Sequence, residues 1–256
     1  MDTFARPPLR QRIKTGETLF GLFLDLGSPL SAELCGAAGL DWLLVDLEHG
    51  AAAQSDVVAH LTAIETTGVP ALVRPQSGER IAIGRALDSG ATGIMVPRLD
   101  SYAEAVEAAR FLRYPPDGVR GVATRTRGAG LGMRGHDEMR AVNDRIVGII
   151  QVESPGAVDD AERIAGIEGV DVLFVGPTDL THSLGIPGQF GHETYRAALR
   201  AVVAACRAHD KSPGILLYDL ATVPIYLELG FRFVGLGADG AFVAQGARAA
   251  LAAVGR

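Results

Sequence analysis

Eight short apolar runs recur along the 256-residue chain, and amphipathic segments separate most of them. Apolar runs of this length that are bounded by Gly and Pro are typical of fully buried parallel strands. The predicted strands cover residues 19–24, 42–45, 71–73, 93–96, 147–152, 172–175, 214–217 and 233–236. Segments with a helical period cover residues 31–38, 54–66, 80–89, 102–112, 157–165 and 193–209. This alternation predicts an α/β fold, a (β/α)8 TIM barrel built as one domain over residues 1–256. An open doubly wound sheet is the alternative, because a linear pattern does not show closure.

The composition limits which partners and which cellular location are compatible with this chain. The chain is 48% hydrophobic and 21% charged, as soluble globular proteins are, and no apolar run has the roughly 18 residues of a membrane span. Residues 1–8 lack the apolar segment of a signal peptide. A net charge of -6 without a basic stripe argues against nucleic acid. Cys35 and Cys206 fall in helical patterns and are interpreted as small buried side chains, so we expect a cytoplasmic protein.

Acidic residues follow two strands that are consecutive in the chain. Gln151 and Glu153 end the fifth strand, and Thr178 and Asp179 follow the sixth. The spacing corresponds to one βα unit, so the two strands should be neighbours about 4.8 Å apart. Either acid alone would more simply cap the next helix. Together, at the C-terminal ends of barrel strands, they favour a site for one hard cation with oxygen ligands.

Other strand ends carry groups suited to catalysis. Asp46 and His49 lie at the end of the second strand, and Arg74 ends the third. A guanidinium offers a planar fork of donors that matches a carboxylate or an enolate oxygen. Histidine changes its charge closest to neutral pH, which makes His49 the natural general base, although a lone histidine is more often structural. The face as a whole predicts a site for an anionic substrate, a cation and proton transfer.

Three further features leave alternatives open. Residues 235–240 match G-x-G-x-x-G, but no βαβ unit follows, so we favour a tight turn over a phosphate cradle or a dinucleotide site.

The connection between the fourth and fifth strands includes a long irregular part, residues 114–130. Long loops are often functional, which predicts a lid or a segment that reaches a neighbouring subunit, with a surface excursion as the alternative. Residues 247–254 predict an apolar last helix that packs on its own barrel or on a partner.

The strand-end segments together resemble the HpcH/HpaI family of metal-dependent class II pyruvate aldolases, from about Gly21 to the end of the chain. The resembling segments are residues 42–49, 73–75, 113–121, 151–153 and 174–180. The resemblance implies a (β/α)8 barrel whose last helix is exchanged between subunits, commonly in a trimer-based hexamer. It also implies a divalent ion, Mg²⁺, Mn²⁺ or Co²⁺, held by Glu153 and Asp179.

The resemblance further implies roles for single residues. Gln151 and the backbone of Thr178 would contact the 2-oxo acid, Arg74 would stabilise the enolate, and His49 would be the base. An acid that matches Asp88 would assist the base.

Two of the acids have open roles. Asp88 falls near the end of a helix just before the fourth strand, toward the opposite end of its own barrel, so it would act across a subunit interface or be structural. Asp46 is a second candidate, for orienting His49 or a water on the metal.

At two places this sequence differs from the pattern of the family members that cleave dicarboxylates. Phe23 stands where those members often carry Trp, and residues 217–219 follow the seventh strand. Phe23 and residues 217–219 are therefore expected to shape the side of the site that takes the aldehyde, and Leu216 is predicted to bind substrate.

These features predict reversible aldol cleavage of a 4-hydroxy-2-oxo acid into an aldehyde and pyruvate, or a related acid such as hydroxypyruvate. A Schiff-base mechanism needs a desolvated lysine, and neither Lys14 nor Lys211 follows a predicted strand. Three alternatives remain: an acyl-CoA-thioester lyase, which needs a basic groove, a phosphosugar enzyme, and a non-catalytic binding barrel.

Overall fold

Eight parallel strands close into a barrel in the computed structural model, which describes residues 7–135, 137–138 and 141–255. Each strand pairs with the next in the chain, and the eighth pairs with the first. The strands are β1 Leu19–Leu24, β2 Trp42–Asp46, β3 Ala71–Arg74, β4 Gly93–Val96, β5 Val147–Val152, β6 Val172–Val175, β7 Ser212–Leu216 and β8 Phe233–Ala238. The predicted closed TIM barrel is therefore confirmed, and the open-sheet alternative is wrong.

Helices connect the strands around the outside of this barrel. They are α1 Leu9–Lys14, α2 Pro29–Ala37, α3 Val57–Glu65, α4 Arg80–Asp88, α5 Tyr102–Phe111, α6 Pro155–Asp159, α7 Ala161–Ala165, α8 Pro177–Ser183, α9 Glu193–Ala208, α10 Val223–Leu229 and α11 Asp239–Ala253. Short 3-10 turns cover Gln54–Asp56, Ala141–Asp144 and Leu220–Thr222. Within the described residues, no helix combines the length and the apolar character that crossing a bilayer would require.

The structure differs from the sequence prediction mainly in short elements. The predicted helix over residues 157–165 is two helices, α6 and α7, because the backbone leaves helical geometry at Asp160. Helices α1, α8 and α10 have only six or seven residues, too few for a period to be read from the sequence. The last helix begins at Asp239, directly after β8, and not at residue 247.

Aromatic side chains fill the barrel interior. Trp42 and Phe233 stack with ring centroids 4.4 Å apart. Phe23 lies 6.3 Å from Trp42, Phe174 lies 6.3 Å from Phe233, and the two phenylalanine rings are 5.9 Å apart. Gly21 is required beside this cluster, because a Cβ at that position would lie 1.9 Å from the Trp42 ring. The interior is thus a packed core that closes the barrel below its C-terminal mouth.

The irregular part of the connection between β4 and β5, residues 114–130, lies at the N-terminal end of the barrel. The Gly128 amide donates to the Asp88 carbonyl at the end of α4, and Arg127 pairs with Glu65 at the end of α3. The guanidinium of Arg120 lies 4.3 Å above the ring of Tyr114, and both residues are buried. Within one chain, the described part of this connection therefore does not cover the C-terminal mouth as a lid.

The last helix, α11, extends away from its own barrel. Every residue from Phe242 to Gly255 is exposed. The helices that flank the space between β8 and β1 also leave apolar side chains uncovered, Leu30 and Leu34 on α2 and Ile225 on α10. In an isolated chain, both the apolar helix α11 and the barrel surface between α10 and α2 are therefore uncovered.

Candidate active site at the C-terminal mouth of the barrel

A cavity of about 450 Å³ opens at the C-terminal mouth of the barrel. Residues that follow β1, β2, β3, β5, β6 and β7 contribute to its walls, because parallel strands all end on this face. Eight of the predicted site residues line it: Phe23, Asp46, His49, Arg74, Gln151, Thr178, Asp179 and Leu216. Because Phe23 and Phe174 also belong to the aromatic core, the floor of the cavity is rigid.

A buried ion pair joins two neighbouring strands at this mouth. Asp46 ends β2 and Arg74 ends β3, and the two residues are register partners. The Arg74 guanidinium donates to both carboxylate oxygens of Asp46, from Nε at 2.9 Å and from Nη2 at 2.6 Å. Burial opposes the charge of Arg74, but these hydrogen bonds raise the pKa of its guanidinium above the ordinary value. The arginine is therefore held as a cation in one orientation, with its Cζ 5.2 Å from the centre of the Phe23 ring.

Asp46 also shapes the turn that carries the candidate base. Its Oδ1 accepts the backbone amides of Glu48 at 3.0 Å and His49 at 3.3 Å. The His49 side chain is exposed at the cavity, with its Nε2 3.9 Å from Glu48 Oε2. Asp46 therefore contacts Arg74 and the backbone of His49, and it forms no ion pair with the imidazole, although Asp46 was a candidate to orient either His49 or a water on the metal.

Two carboxylates face the same small space beside Gly176. A Cβ on Gly176 would lie 2.5 Å from Glu153 Oε2 and 3.7 Å from Asp179 Oδ2, so only glycine leaves that space open. Burial, together with the negative charges of Asp179 and Glu48, raises the pKa of Glu153 to about 7. Negative charge outweighs the nearby positive charge of Arg74 at this point, and a bound cation would balance it.

The donor set fits a hard divalent cation. In the described part of the chain, no cluster of three or more His, Cys, Asp and Glu side chains stands at metal-binding geometry. A pair of carboxylates nevertheless suffices for Mg²⁺, which usually keeps several waters and takes substrate oxygens as further ligands. Gln151 adds an unsatisfied group, because its Nε2 donates to Glu153 Oε2 at 3.2 Å while its buried Oε1 has no partner among the described residues.

Asp88 is the one predicted catalytic residue that a single chain does not bring to the cavity. It ends α4, and therefore lies at the N-terminal end of the barrel, where its Oδ1 accepts Arg120 Nη2 at 2.8 Å. Its chemistry at this mouth would require a second subunit.

The sequence analysis missed a second pair of acids. Asp25 follows β1 and lines the cavity, and the buried Asp239 begins α11 next to it. The Asp25 amide donates to Asp239 Oδ1 at 2.8 Å. The signal was present, since Asp25 comes directly after an apolar run just as the recognised acids do, but only the barrel closure between β1 and β8 reveals its partner.

The glycine-rich residues 235–240 belong to this same region. Residues 235–238 complete β8, and Gly237 has a φ of 92°, which favours glycine. The amide of Gly240 donates to Asp25 Oδ1 at 3.1 Å. That amide is already hydrogen-bonded to a carboxylate, and Asp25 and Asp239 place negative charge at the point where a phosphate would bind. The segment is therefore not a phosphate cradle.

A barrel with this constellation at its mouth is the architecture of a metal-assisted lyase that acts on a small anionic substrate. Residues 19–246 match the HpcH/HpaI aldolase/citrate lyase family, and the chain belongs to that family.

Individual relatives agree over almost the whole chain. The hydroxypyruvate/pyruvate aldolase of Paraburkholderia phytofirmans is 41% identical over 98% of both chains. A 4-hydroxy-2-oxo-heptane-1,7-dioate aldolase of Escherichia coli is 37% identical over 95% of this chain and 93% of its own. The crystal structure of a family protein from Burkholderia cenocepacia J2315 superposes with a TM-score of 0.91 at 40% identity, covering 96% of this chain and 98% of its own.

The buried ion pair should contribute to stability as well as to the site. Asp46→Asn leaves the guanidinium of Arg74 buried with part of its charge unbalanced, so we expect the free energy of unfolding to fall by about 3 kcal/mol. Asp100→Asn is the matched control, because Asp100 pairs with Arg98 at an exposed position and should change stability by less than about 1 kcal/mol. Urea denaturation of both variants measures the difference, and equal effects would contradict the role given to Asp46.

Proposed function

We propose that this protein catalyses metal-dependent, reversible aldol cleavage of a 4-hydroxy-2-oxo acid into an aldehyde and pyruvate or a related 2-oxo acid such as hydroxypyruvate. One observation carries the proposal beyond family membership: a rigidly held Arg74 shares a cavity with an exposed histidine and with Asp179, and Glu153 lies next to Asp179 beside Gly176. That combination can bind a 2-oxo acid, stabilise an enolate and move a proton.

Glu153 and Asp179 would hold the divalent ion, which is Mg²⁺, Mn²⁺ or Co²⁺ in this proposal. When bound, the ion supplies Lewis-acid stabilisation of negative charge on the oxygen of the 2-oxo group. Gln151 lies beside Glu153 with a free buried acceptor, and the backbone of Thr178 lies at the start of α8, so these two groups would orient the 2-oxo acid.

His49 would begin cleavage by removing the proton from the 4-hydroxyl group of the substrate. The C3–C4 bond then breaks, the aldehyde leaves, and the bonding electrons form the enolate of the 2-oxo acid. Arg74 meets the negative charge that develops on the enolate oxygen with a guanidinium whose orientation is already fixed by Asp46. Protonation of the enolate at C3 completes the 2-oxo acid product.

The alternative functions fit the cavity less well. An acyl-CoA substrate requires cations for its phosphates, and among the described residues that line the cavity only Arg74 and His49 carry basic side chains. A phosphosugar would meet Asp25 and Asp239 at the glycine-rich segment. A barrel that only binds metal would not need a fixed guanidinium. The rates of Arg74→Lys and His49→Ala distinguish such a barrel from an aldolase.

The exposed α11 supports a homo-oligomer in which this helix packs on a second copy of the chain, in the space between α10 and α2. We propose a trimer or a hexamer, in which Asp88 of one subunit would assist His49 of another. A cytoplasmic location stays a prediction from the composition, and cell fractionation would test it.

Arg74→Lys and His49→Ala test the assignment of roles. Lysine keeps the charge but loses the planar fork, so Arg74→Lys should lower kcat about a hundredfold while pyruvate binding weakens less. His49→Ala should slow cleavage of a 4-hydroxy-2-oxo acid by at least about a hundredfold. Exchange of the pyruvate methyl protons reports enolate formation by itself, and Arg74→Lys should slow that exchange too. Wild-type rates of cleavage and exchange in both variants would refute the site.

Removal of the metal gives a second test. An excess of chelator should abolish turnover, and Mg²⁺, Mn²⁺ or Co²⁺ should restore it. Glu153→Gln keeps the size of the side chain but removes its charge, so binding of Mn²⁺ by calorimetry should be lost while the fold persists. Asp219→Asn is the control, because Asp219 lines the same cavity but follows β7, whereas the proposed metal ligands follow β5 and β6. Full turnover in chelator, with no metal found by elemental analysis, would reject the metal site.

The proposed oligomer can be tested directly by its mass. Light scattering at micromolar concentration should give a mass that is a multiple of three chains. Deletion of residues 241–255 should reduce that mass, because α11 would no longer reach the partner. A wild-type monomer would contradict the packing proposed for α11.

A further inference from the structure

The wall of the cavity on the side of β1 and β8 is acidic and polar. Asp25 projects from the end of β1, and Tyr218 and Asp219 follow β7 nearby. Glu153 and Asp179, the proposed metal ligands, follow β5 and β6, farther round the ring of strands. The 2-oxo acid part of a substrate would lie on that side, so the β1 side would hold the part that leaves as the aldehyde, called here the aldehyde arm.

Asp25 is held in place by groups that do not belong to the proposed catalytic machinery. Its Oδ1 accepts the Gly240 amide, and its own amide donates to Asp239 Oδ1. A Cβ on Gly240 would lie 2.6 Å from Asp25 Oδ1, so glycine makes room for this carboxyl group. Asp239 is fixed in turn, because the Ser31 hydroxyl donates to its Oδ2 at 2.6 Å.

The two carboxyl groups act as one unit. Burial and a hydrogen bond shared with Asp239 raise the pKa of Asp25, while the hydrogen bonds that Asp239 receives from Asp25 and Ser31 outweigh its burial and lower the pKa of Asp239. A carboxyl oxygen of Asp25 can accept the hydrogen bond that a substrate hydroxyl group donates, and the contacts to Gly240, Asp239 and Ser31 fix where that carboxyl group lies.

The same wall cannot neutralise an anion. Among the described cavity residues, the one guanidinium is that of Arg74, and it is already engaged by Asp46 and by Glu48, whose Oε2 lies 3.1 Å from Nη1. A second carboxylate on the aldehyde arm would face Asp25 and Asp219 without a cation.

We propose that Asp25 determines specificity for the aldehyde, and that the aldehyde arm is uncharged and carries a hydroxyl group next to the carbonyl. This inference rests on the proposed function, since it assigns the other substrate of the same reaction. It separates this chain from enzymes whose substrates carry a second carboxylate at the distal end.

The test uses the full-length, metal-loaded enzyme with saturating pyruvate and a panel of aldehydes. Glyceraldehyde is compared with propanal, which has the same chain length without hydroxyl groups, and succinic semialdehyde is compared with butanal. Wild type should have the higher kcat/KM for glyceraldehyde and for butanal within each pair. A wild-type preference for succinic semialdehyde over butanal would overturn the uncharged arm.

The two aldehydes of a pair differ in intrinsic reactivity, and this difference cancels when the ratio of their kcat/KM values is compared between a variant and the wild type. Asp25→Ala should lower the ratio of kcat/KM for glyceraldehyde to that for propanal by about tenfold, the value of one hydrogen bond to a polar group in a cavity. Asp25→Asn keeps a hydrogen-bonding group of the same size and should retain the ratio within about threefold. Asp219→Ala tests the competing explanation, that any acid at the mouth produces the preference.

The outcomes separate the two proposals. If Asp25→Ala slows both aldehydes equally, Asp25 only braces the start of α11 and the inference fails. It also fails if Asp219→Ala lowers the ratio as much as Asp25→Ala does. If the wild-type enzyme joins pyruvate to no aldehyde and exchanges no methyl protons, the proposed function fails first and this inference with it.

Discussion

The pairing of Asp46 with Arg74 is the interaction on which the rest of the mouth depends. The two residues end adjacent strands in register, so barrel closure itself brings the carboxylate and the guanidinium together. Once formed, the pair keeps a cation in a buried position, and Asp46 has enough acceptor capacity left to fix the following turn through the amides of Glu48 and His49. Loss of this one carboxylate would therefore disturb both the candidate electrophile and the segment that carries the candidate base.

The fold was predictable because buried parallel strands leave a strong local signal. The eight apolar runs correspond to the eight strands with shifts of at most two residues at any end, as for Ser212 at the start of β7 and Ala238 at the end of β8. Closure was not visible in the pattern, since it depends on pairing between β8 and β1, which stand at opposite ends of the chain. Short helices such as α8 were missed because fewer than two turns show no period.

The site was predictable where a single strand end carries the chemistry, and unpredictable where partners meet across the barrel. Arg74, Gln151 and Asp179 were found from their positions alone, and they share one cavity. The pairing of Arg74 with Asp46 was not predicted, because a sequence does not tell which acid a guanidinium will face. Asp88 shows the opposite limit: its position at the end of α4 is clear from the sequence, yet a role at the other end of the barrel would need a second chain, which no local pattern reveals.

The glycine-rich segment after β8 shows how a distant residue decides what a local motif can do. Glycines at a strand-to-helix junction expose backbone amides, and such amides bind phosphate when the surroundings are neutral or basic. Here the Gly240 amide is taken by Asp25, which lies more than two hundred residues earlier in the chain. Because Asp239 adds a second acid at the same point, the field there repels anions and suits hydroxyl groups instead. The same geometry that could cradle a phosphate therefore supports a site for an uncharged substrate arm.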